Sequence, residues 1–257
     1  MATQPASPRQ WVSVVTGAGS GIGRATAVAL ASSGGPERTL VLVGRRPQAL
    51  EETAGLVELA GARPIVQVGD VADPTAVDAI RGVAEEAGAV DLLVNNAGVN
   101  VPARTLDRLA VGDWEQIFQI NATGPFLMTR AFLAGMRSRR RGTIVNVSSM
   151  AGLRPGAISG PAYSAAKAAL VSFTESINLT ERRHGIRASA ICPGEVATPI
   201  LDDRPIPPSP EARELMLQPE DVAETILHIA NLPQRAMIEL VTIFPTTQRD
   251  SSSELTA

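Results

Sequence analysis

The segment Gly142–Val171 reads GTIVNVSSMAGLRPGAISGPAYSAAKAALV and contains an apolar run, a loop and an alanine-rich stretch. The apolar run is rich in β-branched residues and ends in two serines, which is typical of a buried parallel strand. The alanine-rich stretch begins at Tyr163 and favours a helix. The segment therefore predicts a strand, a loop and a helix, which is the repeating unit of an α/β fold.

Tyr163 and Lys167 are four residues apart, so a helix places the phenol and the ammonium on one face. A free tyrosine has a pKa of about 10, too high for efficient proton transfer near neutral pH. A nearby cation lowers that pKa, and Ser149 at the strand end can hold a substrate oxygen against the phenol. The pattern indicates a proton-transfer site for an alcohol or a carbonyl. By itself, a tyrosine and a lysine at this spacing are also common on helices without such a role.

Seven apolar, strand-like runs alternate with helical stretches along the chain. They read WVSVVT, TLVLVG, PIVQV, DLLVNN, GTIVNVSS, IRASAIC and MIELVTIF. This alternation predicts an α/β fold with a parallel sheet of about seven strands, right-handed crossovers and helices on both faces. The length of 257 residues and the apolar fraction of 44% favour one domain over residues 1–257 with a large core.

The composition argues against several classes of function. A net charge of −3 disfavours nucleic acid or an anionic membrane as the main partner. The single cysteine excludes an internal disulfide, and the two histidines are too far apart for a metal site. The start of the chain, MATQPASPRQ, lacks the apolar core of a signal peptide, and no run is long enough to span a membrane. We therefore expect a cytoplasmic protein without a metal.

A glycine-rich turn with the pattern T-G-x-x-x-G-I-G follows the first strand. Glycines in such a turn let the backbone bend tightly and approach a pyrophosphate, which the N-terminus of the next helix then faces. Alone it can be only a turn, but its place between a first strand and a helix predicts a nucleotide site. The residues expected at this site are Gly17, Gly19, Ser20, Gly21, Ile22 and Gly23.

The residues after the second strand discriminate between the two nicotinamide cofactors. A carboxylate at this place would bind the ribose 2′-hydroxyl of NAD, whereas an arginine accommodates the 2′-phosphate of NADP. Here the strand ends in Gly44-Arg45-Arg46, with no carboxylate. The pair predicts NADP(H), and the alternative is that both are solvated surface arginines.

The third and fourth predicted strands also end in polar turns. The third is followed by Asp70 and Val71, and the fourth by the turn N-N-A-G, in which Asn95, Ala97 and Gly98 are expected to contact the cofactor. Ligands bind at the carboxyl ends of strands in open α/β sheets. Two roles remain open for Asp70, a cap on the helix that begins near Pro74 or a hydrogen bond to the adenine amine.

In the order and spacing of these motifs the chain resembles the short-chain dehydrogenase/reductase family from about Val12 to Thr198. The resemblance implies a Rossmann-like fold and nicotinamide-dependent hydride transfer. It implies that Tyr163 is the general acid/base, that Lys167 lowers its pKa and binds the nicotinamide ribose, and that Ser149 orients the substrate. It further implies a water relay through Asn121, and a carboxamide site made by Thr198 and the Val196 backbone beside Pro193 and Gly194.

The family also implies a substrate lid around residues 195–217 and pairing into a homodimer or homotetramer. The carboxyl end resembles NADP-dependent 3-hydroxy acid and serine dehydrogenases more than 3-oxoacyl carrier-protein reductases. A small alcohol or carbonyl is therefore the expected substrate, and a 3-oxoacyl thioester is the alternative substrate. The alternative function is that of a non-catalytic NADP-binding scaffold. Arg154 is expected either to pair with a substrate carboxylate or to be a surface residue. The polar tail after about residue 246 is expected to be loose.

Overall fold

The computed structural model describes residues 10–247 and 249–250. Within this part of the chain the strands are β1 (Trp11–Thr16), β2 (Arg38–Gly44), β3 (Arg63–Val68), β4 (Val90–Asn95), β5 (Gly142–Val147), β6 (Ile186–Pro193) and β7 (Leu240–Ile243). They form one sheet in the order β3-β2-β1-β4-β5-β6-β7, and every neighbouring pair is parallel. The predicted fold class, a doubly wound parallel sheet of seven strands, is confirmed.

Helices connect the strands, and most of them begin with a proline in the first turn. Their bounds are α1 (Gly21–Gly34), α2 (Pro47–Leu59), α3 (Pro74–Ala87), α4 (Val111–Phe118), α5 (Gly124–Arg139), α6 (Pro161–Glu181), α7 (Pro210–Glu214) and α8 (Pro219–Asn231). Proline suits this place because the first helical N–H groups have no partner within the helix and its fixed φ is already helical. These prolines mark the start of every helix except α1 and α4.

The core consists of two apolar layers, one on each face of the sheet. On one face α1, α2 and α8 contribute buried side chains such as Leu30, Val57 and Ile226. On the other face α3, α5 and α6 contribute side chains such as Ile80, Phe132 and Ile177. Because both faces are covered, the central strands are buried along their whole length, which explains why their sequences are continuously apolar rather than alternating.

The chain changes direction across the sheet between β3 and β4. The first three strands lie in the order β3-β2-β1, and the chain then passes to the other side of β1 to form β4. The loops that follow β1 and β4 therefore diverge and leave a crevice at the carboxyl ends of these strands. Most of the predicted site residues line this crevice.

The lid segment, residues 195–217, has little regular structure, as its prolines predict. A short 3₁₀ turn covers Pro199–Asp203, α7 follows, and Val196 pairs with Leu217 to close the segment at its base. Lid and tail meet at Glu195, since Arg249 donates from Nε to its Oε2 at 2.7 Å.

Arg249 departs from the expectation of a loose tail. Its side chain is only 8% exposed and is held by the Glu195 carboxylate, which also accepts a hydrogen bond from Arg204. Charge-assisted bonds of this kind, largely shielded from water, fix the backbone near residue 249. Gln248 and residues 251–257 lie outside the described residues.

Candidate active site

The glycine turn after β1 has the conformation that a phosphate-binding loop requires. Gly17 has φ +64° and Gly21 has φ +52°, both in the left-handed region that favours glycine. A Cβ at Gly23 would lie 2.3 Å from the Gly17 carbonyl oxygen, so α1 can approach the turn only because that side chain is absent. The turn therefore brings the backbone and the N-terminus of α1 to the edge of the crevice.

Thr16 joins this turn to the turn after β4. Its hydroxyl accepts hydrogen bonds from the backbone N–H groups of Asn96 and Ala97, at 2.9 and 3.0 Å, and donates to the Val94 carbonyl. The Asn96 side chain donates to the Thr16 carbonyl at 2.9 Å. These contacts hold the two sides of the crevice at a fixed separation.

The Asn95 side chain points into the sheet, and the contact of this residue with a cofactor stays a prediction. Asn95 is buried in the sheet and donates to Asn146 on β5 at 2.8 Å. The next residue, Asn96, borders the crevice together with Ala97 and Gly98. The reason is geometric, because successive residues of a strand point to opposite faces.

The two arginines after β2 lie at the open end of the crevice, where both are exposed. Arg46 donates to the Ser20 hydroxyl at 3.1 Å, so it links the end of β2 to the glycine turn. Arg45 lies 3.8 Å from the Asp70 carboxylate. The result is a cationic rim beside the glycine turn, with one carboxylate opposite Arg45.

Asp70 does not cap the next helix, so one of its two predicted roles is wrong. The cap of α3 is Asp73, whose carboxylate accepts from the Thr75 N–H at 2.9 Å. Asp70 instead accepts from the Ala72 N–H at 2.9 Å and borders the crevice with Val71.

The crevice has a volume of about 580 Å³, within the range of sites that hold small ligands and cofactors. Predicted residues that line it are Gly17, Gly19, Ser20, Gly21, Ile22, Arg45, Arg46, Asp70, Val71, Ala97, Gly98, Tyr163, Lys167 and Thr198. Predicted residues outside its lining are Gly23, Asn95, Asn121, Ser149, Pro193, Gly194 and Val196. The structure thus brings together most of the predicted cofactor residues.

Tyr163, Lys167 and Ser149 meet at the inner end of the crevice. Tyr163 and Lys167 stand one turn apart on α6, and the Lys167 ammonium lies 5.6 Å from the centre of the phenol ring. Ser149, just after β5, lies close enough to the phenol to act on its pKa, and its hydroxyl accepts from the Ala151 N–H at 3.1 Å. Its neighbour Ser148 lines the crevice and donates its hydroxyl to the Lys167 carbonyl at 2.8 Å, so the role of Ser149 in orienting the substrate stays a prediction.

The expected lowering of the Tyr163 pKa by Lys167 is not found in this structure. Burial raises the pKa of the phenol, and the hydrogen bond from Ser149 and the charges of Arg104 and Arg204 only oppose that rise. Burial also lowers the pKa of Lys167 to about 8. The ammonium is 3% exposed and donates to the Val147 carbonyl at 2.8 Å, so its nearest partner is a strand end rather than the phenol.

Asn121 lies in a π-helical turn, Gln119–Thr123, that separates α4 from α5. Its amide is buried and makes two bonds to the backbone of Val99, accepting from its N–H at 2.9 Å and donating to its carbonyl at 2.8 Å. A π turn interrupts the regular hydrogen bonding of a helix and is frequent at functional sites. The Asn121 side chain therefore braces the loop after β4.

Pro193, Gly194 and Val196 form the base of the lid rather than its inner surface. Gly194 donates to the Ile243 carbonyl at 2.8 Å, and the Val196 carbonyl accepts from the Thr198 N–H at 2.8 Å. This tight turn directs Thr198 into the crevice, where its methyl group lies beside Gly21. Of these predicted residues, Thr198 is the one whose side chain faces the cofactor cleft.

Arg104 is a residue near the phenol that the sequence analysis missed. Its side chain is 6% exposed and lies close enough to Tyr163 to act on its pKa. Arg154, the arginine considered for this region, is exposed in the loop after β5. A single arginine in a polar loop carries no signal of burial, so only the tertiary structure distinguishes the two.

The model of one protein family, whose description is short chain dehydrogenase, matches residues 11–206 of the chain. The chain belongs to the short-chain dehydrogenase family. This short-chain dehydrogenase is 37% identical over 226 residues to cis-4-hydroxycyclohexanecarboxylate dehydrogenase of Sinomonas cyclohexanicum, covering 86% of this chain and 89% of the relative. It is 34% identical to 3-oxoacyl-[acyl-carrier-protein] reductase of Synechocystis sp., over 88% of this chain and 92% of that relative.

Solved structures give the same family. A closed form of serine dehydrogenase complexed with NADP+ matches this short-chain dehydrogenase with a TM-score of 0.83 and 29% identity, covering 93% of this chain and 97% of the other. The resemblance found in the motifs is confirmed, and the protein is a member of an oxidoreductase family. Within the described residues, no helix combines the length and apolarity needed to cross a bilayer, and no three metal-binding side chains cluster.

Proposed function

We propose that this protein is an NADP(H)-dependent oxidoreductase that transfers a hydride between the nicotinamide and a small alcohol or carbonyl compound. The observation that carries the proposal is that Tyr163 and Lys167 line the crevice one turn apart on α6, with Ser149 near the phenol. A proton donor, an orienting hydroxyl and a buried cation are the groups that reduction of a carbonyl requires.

The crevice fits a dinucleotide on this chain's own geometry. A Cβ at Gly17 would lie 2.8 Å from the Asn96 amide nitrogen, and one at Gly21 would lie 3.0 Å from the Thr198 methyl group. These glycines let the turn pack closely against Asn96 and Thr198, which brings its backbone and the N-terminus of α1 to the crevice, where a pyrophosphate would bind. The exposed guanidinium groups of Arg45 and Arg46 stand where a 2′-phosphate would be bound.

Each residue of the catalytic group has a role that its position supports. In the reductive direction, the Tyr163 hydroxyl gives its proton to the substrate oxygen while Ser149 donates a hydrogen bond to that oxygen. The bound cofactor supplies the hydride for the carbonyl carbon. Lys167 keeps a positive charge close to the phenolate that the proton transfer leaves, which favours the transfer. In oxidation the proton moves the opposite way.

The nature of the substrate can be determined with a panel of carbonyl compounds and alcohols. We expect oxidation of small hydroxy acids with NADP+ or reduction of simple ketones with NADPH, and little reduction of 3-oxoacyl thioesters. The panel contains 3-hydroxy acids, serine, cyclic hydroxy acids, ketones and acyl thioesters, each followed by the absorbance of NADPH. Activity confined to the thioesters would favour the alternative suggested by the carrier-protein reductase of Synechocystis sp. No turnover with any compound would favour a non-catalytic NADP-binding scaffold.

We also propose that the protein forms a homodimer or homotetramer through α5 and α6. The outer face of α6 presents small exposed side chains, Ala168, Ala169 and Ser172, and Phe126 of α5 is 44% exposed beside it. Small residues let two helices pack closely, and an exposed phenylalanine gains from burial. Light scattering at micromolar concentration should give a dimeric or tetrameric mass. Ala169→Glu should shift it towards the monomer, whereas a monomeric wild-type protein would contradict this proposal.

A further inference from the structure

Arg104 connects three separate segments around the inner end of the crevice. Its Nε donates to the Val101 carbonyl at 2.8 Å, its Nη1 to the Ile158 carbonyl at 2.9 Å and its Nη2 to the Asp203 carbonyl at 2.7 Å. These carbonyls belong to the loop after β4, the loop before α6 and the end of the 3₁₀ turn in the lid segment. A guanidinium group can hold all three because its donors lie in a rigid plane.

The same residue also packs against the first turn of the helix that carries the phenol. A Cβ at Gly160 would lie 2.6 Å from the Arg104 carbonyl oxygen and 2.8 Å from its Cβ. Gly160 has φ +77° and precedes Pro161, the first residue of α6, with Tyr163 two residues further on. Asn100 reinforces the contact by donating to the Ser159 carbonyl at 3.0 Å. The place of Tyr163 thus depends on the loop that Arg104 organises.

We propose that Arg104 is a positioning residue that fixes the Tyr163 phenol against the lid segment and keeps a positive charge beside it. This inference rests on the proposed function, because it assigns a role at the same site. Arg104 need not touch the substrate to act in this way. It ties the segment at Asp203 to the loop before α6, so that the position of the phenol depends on the position of that segment.

The charges around the phenol support a role for Arg104 beyond packing. Arg104 and Arg204 both act to lower the pKa of Tyr163, against the larger effect of burial, which raises it. The Lys167 ammonium lies 5.6 Å from the centre of the ring, and Cys192 acts to raise the pKa of Lys167 against the larger effect of burial. Asp202 and Asp203 also line the crevice. Loss of the Arg104 charge should therefore raise the pKa of the phenol, and restoring a charge there should lower it again.

The test can be made directly, because Tyr163 is the only tyrosine of the chain. The ultraviolet absorbance of the phenolate, followed against pH with NADP+ present, reports this one residue whatever the substrate is. Three variants are compared with the wild type, Arg104→Met, Arg104→Lys and the matched control Arg108→Met. Arg108 lies in the same loop but is exposed. Hydrogen exchange of the lid segment is measured on the same samples, with circular dichroism as the check of folding at each pH.

We expect Arg104→Met to form the phenolate at higher pH and to exchange the lid amides faster. Arg104→Lys should return the titration towards the wild type, because it keeps the charge, while the lid still exchanges faster. On a substrate found by the panel, Arg104→Met should lose on the order of 10²-fold in kcat/KM, the scale of a misplaced catalytic group. Arg108→Met should behave as the wild type in all three measurements.

A wild-type titration for Arg104→Met would overturn the proposal, as would an equal shift in Arg108→Met. If Arg104→Met does not fold, Arg104→Lys is the deciding variant. A phenolate titration like that of the wild type, together with faster hydrogen exchange in the lid segment, supports the proposal. Unchanged hydrogen exchange in the lid segment overturns it. If the panel yields no activity, the proposed function fails, but the titration and the exchange still decide the role of Arg104.

Discussion

Tyr163→Phe should reduce kcat/KM by about 10²–10⁴-fold, the range that general acid catalysis contributes. The substitution keeps the ring, which is half-buried on α6, and removes only the hydroxyl that gives up the proton. Ser149 would then face a carbon instead of an oxygen, and no other phenol exists in the chain to replace the lost group. Steady-state kinetics in both directions measure the loss.

The control for this variant is cofactor binding. The glycine turn and the arginines after β2 are unchanged, so the Kd for NADPH, followed by fluorescence, should stay within a few fold of the wild type. The phenolate absorbance should vanish from the alkaline titration. Retention of near wild-type activity would show that the proton comes from another group, and the mechanism proposed for this site would have to be abandoned.

Arg45→Asp should invert the preference of the enzyme between the two cofactors. In the wild type, charge-assisted bonds to a 2′-phosphate contribute roughly 1.5–3 kcal/mol, so NADP should be preferred by about tenfold to a few hundredfold. The aspartate would repel that phosphate and accept a hydrogen bond from a ribose hydroxyl instead. Measurement of kcat/KM for NADP and NAD in both proteins gives the ratio. The wild-type preference should also weaken with added salt.

Arg63→Asp is the matched control for the change in charge. Arg63 is exposed and is the first residue of β3, so it lies at the amino end of that strand, whereas the crevice lies at the carboxyl ends of the strands. The same reversal of charge there should leave the cofactor ratio unchanged, because solvent and salt screen charges over such distances. Equal kcat/KM values for the two cofactors in the wild type would mean that Arg45 is only a surface arginine. Arg46, which donates to Ser20, would be the next residue to test.

The sequence by itself determined the features that have a local period or a local motif. Seven apolar runs separated by helical stretches predicted the parallel sheet, because strands covered on both faces are apolar throughout. The glycine turn predicted the bend before α1, since Gly17 and Gly21 occupy the left-handed region. The four-residue spacing of Tyr163 and Lys167 predicted their common face, because that spacing is a property of any helix.

The tertiary structure decided which polar side chains face the crevice. Asn95 and Asn96 are adjacent in a motif, yet one bonds to β5 inside the sheet and the other borders the site. Asp73, which directly precedes Pro74 at the start of α3, is the cap of that helix, and Asp70 borders the crevice instead. The balance of charges at Tyr163 also depends on burial, which no spacing in the sequence reveals.

Arg104 and Arg249 illustrate why the burial of charged side chains could not be predicted from the sequence. Each lies in a polar stretch that reads as solvated, and each is buried because its partners are carbonyl or carboxylate groups far away in the chain. Arg104 meets Asp203, and Arg249 meets Glu195, only after the loops at the carboxyl end of the sheet have come together. A local sequence pattern reveals the period of a helix or a strand. Whether a charged side chain is buried depends instead on distant groups in the chain that can form hydrogen bonds with it.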